Sequence, residues 1–148
     1  MVSVSYELAR KIATEVVSRV NARFPEVRVD VHGPTELAHG VFVVISPEDP
    51  RAVDAEVFVA YDGTYLLNAG PSFCIESDDF SGNLADVAGQ IFAQLEAFGT
   101  AGMVEVRRLK WLGPISPTWI GRPGIDDYID EALLSRSAKV VRSWRPWI

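Results

Sequence analysis

The sequence predicts an α+β fold: an antiparallel β-sheet of about five strands, two long helices on one of its faces, and an irregular Trp-rich C-terminal segment. Three observations carry that expectation. Two segments repeat apolar residues at helical spacing, 6–24 and 84–98. Between them, short runs rich in β-branched and aromatic residues are punctuated by Gly, Pro and Asp, as in a meander of strands. All four tryptophans, Trp111, Trp119, Trp144 and Trp147, lie beyond the second helical segment.

In the first helix Leu8, Ala9, Ile12, Ala13, Val16, Val17, Val20 and Phe24 form one apolar stripe. Ser5 is placed as its N-cap, and Pro25 ends it. Residues 26–32, EVRVDVH, alternate strictly, with Val27, Val29 and Val31 on one side. That pattern predicts a half-buried strand at or near a sheet edge. Residues 40–46, GVFVVIS, are apolar on both faces and predict a central strand.

The strongest local signal is residues 55–70, AEVFVAYDGTYLLNAG, read as a hairpin. A two-residue loop at Asp62-Gly63 would set Val59 opposite Leu66 and Phe58 opposite Leu67. Both faces of that ribbon then carry large apolar groups, so the sheet needs a cover on each. The helices supply one. The indole-bearing C-terminal segment, or another molecule, is expected to supply the other.

Residues 71–83 form a polar connection in which Cys74 and Ile75 extend a strand. In the second helix Leu84, Val87, Ala88, Ile91, Phe92, Leu95 and Phe98 make the stripe, with Asn83 as N-cap and Gly99 as C-terminal cap. Residues 103–111 predict the fifth strand. Residues 112–124, rich in Pro and Gly, predict an irregular connector, 125–135 a short helix, and 138–145 a last short strand. The chain is expected to be a single domain over 1–148, with a 1–111 core and a 112–148 Pro/Gly/Trp-rich segment.

Charge and composition narrow the function. The net charge is −6, unevenly spread: residues 1–99 carry 6 basic and 15 acidic side chains, a net −9, and residues 100–148 carry 8 and 5, a net +3. An acidic protein repels nucleic-acid backbone, so no nucleic-acid partner is expected. The longest apolar run, Val41 to Ile45, is far short of the ~20 residues of a membrane span. Cys74 is the only cysteine, so no intrachain disulfide forms, and a cytoplasmic location is expected.

No nucleophile elbow, phosphate-binding Gly loop, paired-cysteine zinc site or metalloprotease helix motif occurs in the sequence. Catalytic residues, metal ligands and cofactors are therefore all set at none. The weighed exceptions are Cys74 with His32 or His39 as nucleophile and base, Glu56 with Glu76 or Asp78 as an acid–base pair, and His32 with His39 on a metal. Nothing in their spacing selects them.

Two acidic clusters stand out: Glu76, Asp78 and Asp79 with Phe80 beside them, and Asp126, Asp127, Asp130 and Glu131. With Trp119 they form the expected partner-binding set. Clustered carboxylates steer a basic partner in, and buried aromatics hold it. The expectation is a non-enzymatic protein-binding protein, an inhibitor or immunity-type protein that neutralises a basic toxin or enzyme. Small bacterial immunity proteins share this general character, although no motif here identifies such a family. Two alternatives stay open: a small-molecule-binding domain or enzyme with a pocket between sheet and helices, and a homo-oligomeric structural protein, such as a homodimer.

Overall fold

A computed structural model describes residues 4–35, 39–71, 73–77, 83–108, 119–123 and 139–148. Over these residues the chain is α+β, as expected. Helix α1 (Val4–Arg23) leads into strands β1 (Arg28–Thr35), β2 (Gly40–Ser46), β3 (Ala55–Ala60), β4 (Tyr65–Ala69) and β5 (Phe73–Glu76). Helix α2 (Leu84–Ala101) follows, then β6 (Met103–Arg108), β7 (Trp119–Pro123) and β8 (Lys139–Trp144). The first five strands form one antiparallel sheet in chain order. The last three form a second sheet in the order β7-β6-β8, so the segment expected as the fifth strand, 103–111, enters as β6 a sheet of its own, and β5 takes the fifth place in the first.

The helices form for the reasons legible in their stripes. Ala9, Ile12, Ala13, Val16 and Val20 of α1 are buried, with Phe24 just past its end, as are Val87, Ala88, Ile91, Leu95 and Phe98 of α2. Asn83 caps α2, its side-chain oxygen accepting from the Asp86 N–H at 3.0 Å. The C-terminal cap lies three residues beyond the expected one. Gly102, at φ 72°, ends the helix and donates its N–H to Phe98 O at 2.8 Å. Gly99 is instead a buried interior residue, pressed between Phe24 and Trp147, where a β-carbon would collide with both rings. Ser5, expected as a cap, lies inside the first turn of α1.

The hairpin exists, but its loop has three residues. The Ala60 N–H donates to Thr64 O at 2.8 Å and the Gly63 N–H to Ala60 O at 3.0 Å. Gly63 sits at φ 86° while Asp62 keeps a negative φ. A two-residue type I′ turn would need positive φ at both central positions, so the ladder takes the three-residue form with Gly in the left-handed position. The register moves by one: Val59 faces Tyr65, Phe58 faces Leu66, and Val57 faces Leu67.

That single step sorts the side chains by face. Ala55, Val57, Val59, Tyr65, Leu67 and Ala69 join Val41, Val43, Ile45 and Phe73 on the buried side. There they meet both helices, and Phe73 stands at 65° to Phe98 with centroids 4.8 Å apart. The even-numbered residues of β2, β3 and β4 lie on the other side and, buried Gly40 apart, are half-buried.

The C-terminal strands are more regular than expected. Residues 119–123, read as part of a bent connector, pair with β6. Pro123 is tolerated because β7 is an edge strand and the proline is its last residue. Glu105 of β6 is fully buried, and the Trp144 indole N–H donates to its carboxylate. Past β8 the chain closes onto the first sheet's lower end. The Arg145 N–H donates to Arg51 O at 2.7 Å, and the Val53 N–H donates to Arg145 O at 3.3 Å. The Trp147 N–H donates to Gly99 O at 2.8 Å, and its indole donates to Val53 O at 2.5 Å.

Trp147 therefore enters the helix-side core instead of roofing the opposite face, and Trp144 serves the second sheet. Trp111, the side chain of Trp119 and the short helix expected over 125–135 lie outside the described residues.

Candidate functional site

The five-stranded sheet has one face covered by helices and one that, among the described residues, carries none. Strand register builds that second face in two rows. One row runs His32, Phe42, Phe58, Leu66, Glu76 from β1 to β5. The next runs Asp30, Val44, Glu56, Asn68, Cys74. Each row is apolar or mixed at its centre and polar at its margins.

The centre of the face is an apolar patch. The rings of Phe42 and Phe58 lie 4.8 Å apart, tilted by 43°. Leu66 and Val44 adjoin them, and all four are half-buried. Large aromatics left half-exposed at the middle of a central strand pair mark an interface more readily than a solvated surface does.

Around the patch the charge is negative. Asp30, Glu56 and Glu76 point to this face, and Asp54 stands at its lower rim. The one basic side chain nearby in the register, Arg28, is already tied to Asp30, Nε to Oδ2 at 2.9 Å. Among the described residues neither Glu56 nor Glu76 makes an ion pair. Glu56 occupies a central strand between Val44 and Asn68, where an unpaired carboxylate is costly to cover unless the covering group is a cation or a hydrogen-bond donor. Beside it opens a shallow cleft of about 190 Å³, lined by Val44, Asp54, Ala55, Glu56, Asn68 and Gly70.

Of the residues expected from the sequence to meet a partner, Glu76 lies on this face, exposed at the end of β5 and opposite Leu66. Trp119 opens β7 opposite Arg107 in the second sheet and belongs to neither row. Asp78, Asp79 and Phe80, and Asp126, Asp127, Asp130 and Glu131, lie outside the described residues. Phe42, Val44, Phe58 and Leu66 were not in that set. Their signal was the apolarity of β2 and β3 on both sides, which becomes a surface only once the register is known.

Two of the weighed catalytic pairs come apart in the sheet, while Glu56 with Asp78 falls outside the described residues. His32 on β1 and Cys74 on β5 sit at opposite edges, four strand spacings or on the order of 20 Å apart. Glu56 and Glu76 are two strands apart, on the order of 10 Å, with Leu66 and Asn68 between them. His39, at φ 53°, packs edge-on to Tyr61 at 6.0 Å. Among the described residues no group of three or more His, Cys, Asp and Glu side chains is placed to hold a metal ion.

No family model matches the chain, and no curated protein or solved structure is detectably similar to it. The function has to be read from the face itself. Among the described residues no helix is long and apolar enough to cross a membrane.

Proposed function

We propose that this protein is a non-enzymatic binding protein that uses the face of its five-stranded sheet opposite α1 and α2 to cover a basic surface of another protein. Within that class the reading is an inhibitor of the immunity type, acting on a basic toxin or enzyme in the cytoplasm. The observation that carries it is the grouping of Phe42, Phe58, Leu66 and Val44 on one surface with Glu56 and Glu76, which make no ion pair among the described residues. Aromatic and aliphatic groups at the centre supply the area that association removes from water. The carboxylates steer a basic partner and favour it over acidic ones. The overall charge of −6 acts in the same direction at longer range. The single cysteine, with no disulfide to protect, supports the cytoplasmic placement.

The test is affinity capture from the source cell with the wild type and a Glu56→Lys/Phe58→Asp variant side by side. A basic protein held by the wild type, released by salt and lost by the variant supports the reading. A binder indifferent to the variant, or to ionic strength, contradicts it. So does the absence of any specific binder.

A further inference from the structure

Strand β1 is an end strand of the five-stranded sheet, and among the described residues nothing pairs with its outer edge. A free edge offers a row of N–H and C=O groups to another strand unless it is blunted. This one is blunted only in its second half. There the register with β2 shifts between His32 and Thr35, Gly33 takes φ 102°, and Pro34 follows. The first half, from Arg28 to His32, runs regularly along β2. Arg28, Val31 and His32 are exposed, and Val31 is 50% accessible although it sits on the core side of the sheet opposite Val43.

We infer that this edge pairs antiparallel with β1 of a second copy of the chain, about a two-fold axis, joining two sheets into one continuous sheet. The charges choose the register. Residues placed opposite one another must point to the same side, or every side chain would change face, so the axis passes through a residue position. An axis at Asp30 sets Asp30 against its own copy, and an axis at Arg28 does the same for arginine. Like charges directly opposite are destabilising. An axis at Val31 lays Arg28 against Pro34 and drives the ladder into the bulge.

An axis at Val29 satisfies both strands. Arg28 meets the second copy's Asp30, and Asp30 meets the second copy's Arg28. Val29 meets itself, and Val31 comes opposite the second copy's Val27, which lies just before β1 with its N–H bonded to Phe24 O, so the new main-chain ladder runs from Arg28 to Asp30. Arg28 and Asp30 already lie together on one face, 2.9 Å apart. Association exchanges one such pair within each chain for two between chains, and it covers Val31. The dimer edge shares Asp30 and His32 with the margin of the proposed binding face, whereas Phe42, Phe58 and Glu56 at its centre belong to interior strands.

The experiment is sedimentation velocity on the full chain over a wide concentration range, with circular dichroism confirming that each variant folds. The wild type is expected at twice the 16.3 kDa of one chain. Arg28→Glu alone and Asp30→Arg alone each set like charges against one another, and both are expected to be monomeric. Mixed together they restore two opposite-charge pairs and are expected to form a heterodimer. The double variant Arg28→Glu/Asp30→Arg is expected to dimerise by itself. A wild type that stays monomeric throughout overturns the inference, as does a dimer that survives both single reversals. A mixture that does not associate overturns the register.

Discussion

The indole of Trp147 stands edge-on to the ring of Phe24, their centroids 5.1 Å apart and their planes at 87°. Phe24 lies just past the end of α1 and Trp147 follows β8, so this contact ties the segment after β8 to the end of the first helix. The same indole donates to Val53 O, and the main chain beside it pairs with Gly99 and, through Arg145, with Arg51 and Val53. The loop between β2 and β3, the end of α2 and the C-terminus thus share one closure.

Removing that indole should be costly. Trp147→Ala is expected to destabilise the fold by about 3–5 kcal/mol, the range for emptying a large aromatic site. Trp147→Phe keeps an edge-on ring but deprives the Val53 carbonyl of its donor, at a cost of about 1–3 kcal/mol. Urea unfolding measures both.

Gly99→Ala tests the same packing from the helix side. In an open helix the change would stabilise by about 1 kcal/mol. Here the added β-carbon meets the rings of Phe24 and Trp147. The expected outcome is a net loss of about 1–3 kcal/mol by thermal or urea unfolding.

The two leucines of β4 separate the two possible hairpin registers. Leu67 is fully buried against the helices, whereas Leu66 is half-exposed beside Phe58. Leu67→Ala should cost about 2–5 kcal/mol. Leu66→Ala should cost about 1 kcal/mol. Equal losses would contradict the three-residue loop.

Those leucines also show how far the sequence can be read. The helical stripes, the Asn83 cap and strand β2 are local patterns, and they were legible in full. The hairpin was legible as a hairpin, but Asp-Gly suits both a two-residue and a three-residue loop. Nothing local decides between them, and the choice exchanges Leu66 for Leu67 on the core face. Gly99 and Gly102 pose the same ambiguity: either glycine can end a helix, and only the approach of Phe24 and Trp147 shows that Gly99 serves packing. The carboxylate clusters were legible as charge, yet only Glu76 could be placed on the sheet face. The Phe42–Phe58 patch depends on pairing between strands, which no single segment contains.

The hairpin turn gives a pH dependence. Hydrogen bonds from the Thr64 hydroxyl at 2.6 Å and the Thr64 N–H at 3.0 Å hold the Asp62 carboxyl below its ordinary value of 3.8. A lowered folded pKa means the contribution is complete above 3.8 and is lost as pH falls through the lower folded value. Asp62→Ala should therefore be less stable than the wild type at neutral pH, with the gap closing under acid. Asp49, held low first by the Arg51 N–H, titrates in the same direction and is untouched by that substitution.

The role of the sheet face opposite α1 and α2 stands or falls on where a partner touches it. The direct measurement is the amide NMR spectrum of the labelled protein, with and without the captured basic partner. Perturbations gathered on Phe42, Val44, Glu56, Phe58, Leu66 and Asn68, with α1 and α2 unchanged, are the expected result. Perturbations confined to the outer sides of the two helices would contradict the account.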